Sequence, residues 1–453
     1  VDITIVIMYL GFLLFYGIYQ GFRVKSAGDF AVTDKKHGLF VVFSSLSAAF
    51  IGGGFSTGNA TETFSSGVGN IVGLWGFSLG QIVVGVLMVR CGRLPEKAAS
   101  PGEILFSVYG KAGQVTAGIC SVLLCAGILG AQIAAIGTIF LELFNVPYNM
   151  GVLIGFSVVI IYSAAGGMNA IITAEILEFL LLMVGMPLLA FAAVKFSGGF
   201  EAVKTAVPPE YFNPINDRSA LSLISLFLTM AIGEALTPTY LQRMLVGKER
   251  KIMGRATILS GVISIPFFVV TGIVGLAAYA VFPELERTLA MPHMVFTVLP
   301  IGIKGLVMTA MLAIVMSSAD GLLSSAAIGA VSDIIAPLMK KQASSKSRLK
   351  MMRMSTVLIG IVGMAYALLS NDVFGILLFS YFAWAPVMLV PTVAAVFGFR
   401  SGKRAFAASA ICGAAVALLW GMFIEPKTGV SGTLVGTLAS FAVFITVGSM
   451  RRS

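Results

Sequence analysis

The chain has 453 residues, 58% of them hydrophobic and 11% charged, at a mean hydropathy of +0.97. Soluble domains are about 25% charged and a membrane crossing takes about 20 apolar residues, so the chain reads as one all-α multi-pass membrane domain without a soluble catalytic domain. The formal net charge of +10 points to nucleic acid or anionic substrates only until the charges are traced along the chain, where they follow the membrane.

Apolar runs predict about thirteen spans: 2–21, 39–66, 68–90, 113–143, 147–165, 170–196, 219–243, 255–282, 302–336, 353–370, 373–398, 405–423 and 429–450. With the N-terminus outside, six of the 30 Lys and Arg (Lys195, Lys204, Arg218, Arg287, Lys304, Lys427) fall on the outer side and the other 24, Arg243 among them, on the inner side. Basic residues concentrate on the inner side of membrane proteins, which selects N-terminus out, C-terminus in. The basic pI is then topology, and no nucleic-acid partner is expected. Cys91, Cys120, Cys125 and Cys412 lack metal spacing and read as small packing residues. His37 and His293 fall in loops on opposite sides and read as solvated. The opening Val1-Asp2 has no basic leader, so no signal peptide is expected.

Irregularities inside the spans carry the functional information. The second span holds Ser44 to Asn59 with Gly52-Gly53-Gly54 at mid-membrane depth; glycine costs a helix about 1 kcal/mol relative to alanine, so three together predict local unwinding. Gln81 in the third span and Gln132 in the fourth are polar groups facing the same region, although a lone Gln is often glue between helices. The seventh span holds Ile232 to Thr239, and Pro238 removes a donor and clashes with the preceding turn, so a second break is expected. The breaks lie five spans apart. An odd number makes corresponding helices run in opposite directions, the geometry of inverted repeats, and paired broken helices are the strongest pointer in a sequence to a transport site.

Ionisable side chains inside a membrane are costly enough to be functional hypotheses. Glu62, Glu175, Glu178, Glu234 and Asp320 qualify by position. In the ninth span, Ser317, Asp320, Gly321, Ser324 and Ser325 share a helical face, forming a stripe of oxygen ligands suited to a hard cation.

Three segments together resemble the sodium:solute symporter family. Gly166 to Glu178 (Gly-Gly-Met-Asn-Ala-Ile-Ile-Thr-Ala-Glu-Ile-Leu-Glu) is similar to its signature, Met316-Ser317-Ser318-Ala319-Asp320 to its Met-Ser-Ser/Thr stretch, and Leu241-Gln242-Arg243-Met244-Leu245 to its Gln-Arg segment. The resemblance spans essentially the whole chain. It implies a leucine-transporter-type core of two inverted five-helix repeats, residues 39–198 and 219–398, preceded by an extra helix and inner loop (1–38) and followed by two helices (399–453). It further implies alternating access, sodium as the coupling ion, and a principal sodium site at the carbonyls of Ala48, Ile51 and Ile314 with the hydroxyls of Ser317 and Ser318. Glu175 stands where the family signature has Asp, and Asp320 where some members place a serine of a second sodium site. Two carboxylates facing one cavity call for a cation or a proton between them, so Glu175 and Asp320 are read as a second cation or proton site.

Polar groups that converge on the breaks are the solute ligands expected here: Ser56, Thr57, Asn59, Gln81, Gln132, Glu234 and Thr237. With no cluster of basic residues in the membrane interior, the pocket suits a neutral, zwitterionic or singly charged small solute, such as an amino acid, sugar or small carboxylate. No Walker-type Gly-x-x-x-x-Gly-Lys-Ser/Thr loop is present, so the function expected is secondary active symport, probed against proton-coupled symport and a solute-sensing membrane domain as rivals. An enzyme is not expected. A bacterial-type inner membrane, the lipid bilayer, Na+ and the solute are the expected setting and partners, with the monomer as the working unit.

Overall fold

The computed structural model describes all residues except 32–36, 96–97, 217–218, 340–342, 370–379, 381, 383, 400–401 and 450–453. Its principal helices are α1 (Asp2–Gly21), α2 (Leu39–Phe50), α3 (Thr57–Ser66), α4 (Gly69–Cys91), α5 (Pro101–Phe144), α6 (Tyr148–Phe196), α7 (Ala220–Gly233), α8 (Pro238–Leu245), α9 (Arg250–Val281), α10 (Ile303–Leu338), α11 (Ser345–Leu369), α12 (Ala385–Phe397), α13 (Lys403–Phe423) and α14 (Gly432–Ser449). Among the described residues nine helices are long and apolar enough to cross a membrane, or eleven when each of two bent pairs is one span. Residues 373–379 of the eleventh expected span lie outside the described residues.

Both breaks expected from the sequence are present. α2 ends at Phe50 and the chain resumes helical direction after a bend of 78°, while α7 and α8 meet at 44°. Pro238 stands at the first turn of α8, where its missing N–H costs nothing because first-turn donors have no partner within the helix. The second break also holds Leu236 at φ 53. A bulky residue in the left-handed region is strained by about 1–3 kcal/mol, and such strain persists only where the surroundings fix it.

The loop expected at 166–169 is absent; α6 runs through it. A straight helix of 49 residues would measure about 74 Å, against a hydrocarbon core of about 30 Å, and Gly167 bends it at φ 57, ψ −153. Only glycine adopts that region readily, and a Cβ there would also overlap Phe30. Gly167→Ala is therefore expected to cost at least about 1–3 kcal/mol, read as a fall in melting temperature. Gly11→Ala, at an open mid-helix position with nothing within 4 Å, is the control and should be neutral or slightly stabilising.

α10 is the axis of the molecule: 94% of its most apolar window is buried, and it packs against α1, α2, α5, α6 and α11. This explains its lack of an apolar face, since a helix surrounded by protein on all sides needs none. Asp2 accepts bonds from the Gly302 and Gly305 amides at 2.7 and 2.9 Å, tying the start of α1 to the N-terminal turn of α10. Deeper in, the Tyr9 hydroxyl donates to Glu178 at 2.8 Å. The extra first helix is thus held by polar bonds to the core, although its outer side is exposed. Cys120 and Cys125 are buried, Cys91 and Cys412 partly so, and all four are free thiols. His37 is half-buried rather than solvated: its backbone pairs with Val246 and Lys248, linking the segment before α2 to the end of α8.

Candidate functional site

At the first break the backbone runs out of helical hydrogen bonding beside the middle of α10. Ser317 Oγ lies 3.1 Å from the Ala48 carbonyl and 3.0 Å from that of Ile314, donating within this oxygen cluster. Ser318 Oγ lies 3.3 Å from the Ile314 carbonyl. Ile51 caps α2 with φ −85, ψ 66, a non-helical turn that directs the chain into the glycines. The triple glycine has a steric reason at its first member. A Cβ on Gly52 would stand 2.5 Å from Ser318 Oγ, so any side chain there would push the serine out of the cluster. Ala48, Ile314, Ser317 and Ser318 are all buried, and their oxygens form a compact group of the kind a hard cation prefers.

Against this cluster lies a cavity of about 520 Å³, whose walls include Gly52, Gly53, Phe55, Gln132, Glu234 and Ser318. Thr57 and Thr237 also line it, as does Glu62 towards the far end of α3. Four of the seven solute ligands expected from sequence thus share one cavity: Thr57, Gln132, Glu234 and Thr237. The other three do not line it. Ser56 turns back onto the Gly52 carbonyl at 2.9 Å, and Asn59 donates to the Phe268 carbonyl and Thr271 at 2.8 Å each, pinning α3 to α9. Gln81 is buried in α4, 2% exposed. Of the aromatic residues near the breaks, Phe55 reaches the cavity, whereas Trp384 is fully buried with its indole N–H on the Ala235 carbonyl at 3.4 Å.

On the other side of α10 is a closed ionic network. Glu175 accepts from the Ser45 hydroxyl and from both Nε, at 2.6 Å, and Nη2 of Arg243. Arg243 Nη1 donates to the Thr239 carbonyl at 3.0 Å. Asp320 accepts from the Tyr162 hydroxyl at 2.5 Å and its other oxygen is 3.8 Å from Arg243 Nη2. Glu175, Asp320 and Arg243 are each 0% exposed.

This overturns the placing of Arg243 among the inner-side charges. The residue is at the end of α8 but its guanidinium turns inward, so it counts as an interior countercharge rather than a topological one. The two carboxylates are accordingly not face to face across an empty space. The cause is packing rather than local sequence: in α8, Tyr240 to Leu245 are buried on every side, so an arginine at 243 has nowhere to go but inward. Tyr162 and Ser45, each beside another hydroxyl residue in the sequence, carried no signal that would single them out.

Comparison with known proteins decides the family. Residues 30–416 match the sodium:solute symporter family. The chain belongs to that family. Among curated relatives, the high-affinity proline transporter PutP of Bacillus subtilis is 25% identical over 456 residues, 95% of this chain and 93% of that one. The human high affinity choline transporter 1 is 24% identical over 415 residues, 83% of this chain and 68% of that one. These relatives are transporters, not enzymes. Among solved structures, a Na+-coupled sialic acid symporter in a substrate-bound outward-open state superposes with a TM-score of 0.87 at 18% identity, covering 99% of this chain and 98% of that one. The complex of MhsT with L-phenylalanine gives 0.55 at 14% identity, over 90% of this chain and 98% of that one. The fold is therefore the leucine-transporter type, and this sodium:solute symporter is a multi-pass membrane protein.

Proposed function

We propose that the protein is a sodium-coupled symporter that moves a small polar organic solute by alternating access. It has thirteen spans, N-terminus out and C-terminus in, with two inverted five-helix repeats, and works as a monomer in a bacterial-type inner membrane. The observation that carries this reading is the double position of Ser318: its hydroxyl belongs to the oxygen cluster with Ile314, and the residue also lines the cavity beneath the first break. An ion held by Ala48, Ile51, Ile314, Ser317 and Ser318 would fix the break, and the break forms the wall against which the solute rests. Sodium thereby preorganises the solute site, and by linkage the solute tightens sodium to the same degree. The relatives named as proline and choline transporters support a small polar organic cargo.

The direct test is a thermal-shift screen of the purified protein against small metabolites, in sodium and in potassium. A ligand bound to the folded state at 100 times its Kd adds about 2.7 kcal/mol, and the expectation is a stabilisation that requires sodium. Equal stabilisation in both salts for every binder removes sodium coupling.

A second reading is favoured by one observation. Asp320 Oδ1 and Glu178 Oε2 are buried oxygens without a hydrogen-bond donor, and Glu175 and Asp320 share one guanidinium. A further cation or a proton at the Glu175 and Asp320 site would satisfy this excess of acid. Glu175→Gln should then change the sodium or pH dependence of uptake; an unchanged dependence on both counts against that site.

A further inference from the structure

The cavity has a charge and hydrogen-bonding character that narrows its cargo. Glu62 and Glu234 both line it, Glu234 being only 6% exposed. No Lys, Arg or His stands among the described residues that line it. The buried guanidinium of Arg243 is bonded to Glu175 and is not part of the wall.

Several polar groups of the lining are already engaged. The Thr57 hydroxyl donates to the Gly53 carbonyl at 2.8 Å and that of Thr61 to the Thr57 carbonyl at 3.0 Å. The Asn70 amide donates to Asn59 at 2.9 Å. Acceptors remain. Gln132 is 8% exposed, stands on the cavity wall, and its Oε1 has no hydrogen-bond partner. A buried amide oxygen left in this way is costly unless something in the cavity donates to it. Phe55 and Tyr240 add aromatic rings to the wall, whose faces attract cations.

A solute whose only charge is a carboxylate would face two carboxylates here, with no cationic side chain among the described lining residues to receive it. A sugar brings no charge to match the acidic wall. A cationic nitrogen meets the acidic wall, the aromatic rings and the orphan amide oxygen at once. We infer that the solute of this transporter carries a positively charged nitrogen, recognised at Glu234 and Gln132. This deepens the symport reading and rests on it for the identity of the cavity.

The test is a thermal-shift panel on the purified full chain, in sodium and in potassium. Ethanolamine, L-alanine and L-proline are each run beside their N-acetyl derivative, with choline as a permanent cation and D-glucose, myo-inositol and L-lactate as uncharged or anionic probes. Stabilisation is expected only from compounds with a cationic nitrogen, and lost on acetylation. Glu234→Gln should weaken the apparent affinity for the best of them at least tenfold while keeping the shift given by sodium alone, which reports an intact fold. The inference is overturned if no cationic compound stabilises, if glucose, inositol or lactate does so as well as the amines, or if acetylation has no effect. Stabilisation by amines that is equal in potassium leaves this inference standing and instead removes sodium coupling, so the two failures are distinguishable.

Discussion

Changing Ser317 and Ser318 together to alanine is expected to abolish sodium-dependent uptake in a protein that still folds. The two hydroxyls are the only side-chain oxygens in the proposed sodium site, the rest being carbonyls of Ala48, Ile51 and Ile314. A hydrogen bond or equivalent contact to a charged group contributes about 1.5–3 kcal/mol, so losing two lowers sodium affinity by at least about 100-fold. Folding should survive, because each hydroxyl bonds chiefly to carbonyls of its own helix or of Ala48, and alanine is a good helix former. Uptake at the wild-type sodium dependence in this double variant would remove the site from Ser317 and Ser318.

Arg243→Met is expected to be among the most destabilising single changes in the protein. It would leave Glu175 with the Ser45 hydroxyl as its remaining donor and Asp320 with that of Tyr162, both fully buried. Breaking a buried ion pair by removing one partner costs about 3–5 kcal/mol. Because the penalty comes from the stranded charge rather than from lost attraction, Glu175→Gln added to Arg243→Met should recover part of the loss, as coupled neighbours do. Arg243→Lys should not restore it fully, since an ammonium cannot reproduce the paired Nε and Nη2 bonds of the guanidinium. Thermal denaturation of the four proteins checks this: Arg243→Met should melt lowest and the double variant above it. An Arg243→Met protein as stable as the wild type would mean that the network is not held together by this charge.

The network also gives α8 a mechanical role. Arg243 belongs to α8, the second half of the second broken span, while Glu175 and Asp320 belong to α6 and α10, so any movement of α8 must carry the guanidinium with it or break its bonds to Glu175. Asn59 does the corresponding work at the first break, fastening α3 to α9. α3 and α8 are therefore each attached to a neighbouring long helix by buried polar bonds rather than by apolar packing alone.

The parts of this arrangement that were legible in the sequence are those with a local physical cause. Pro238 and the triple glycine each disfavour a continuous helix, so both breaks could be placed to within a few residues. Ser317 was legible as part of the polar stripe in an apolar span, and the family resemblance paired it with Ser318. The apolar runs place a loop at 166–169 between two spans, yet Gly167 bends α6 within one residue. What was not legible depended on packing. Arg243 could not be told from a loop arginine without knowing that Glu175 and Asp320 lie on either side of it. Asn59 and Gln81, polar groups beside the breaks, looked equivalent to Thr57 and Gln132; only the course of α3 and α4 decides which of them reach the cavity.

The central claim is that the oxygens around Ser317 and Ser318 bind the coupling ion at the wall of the solute cavity. Equilibrium binding of radioactive sodium to the purified protein, wild type beside the Ser317→Ala, Ser318→Ala double variant, tests it most directly. Saturable sodium binding by the wild type, lost in the folded double variant, is the result predicted. Equal saturable binding by both, or none by the wild type, would contradict it.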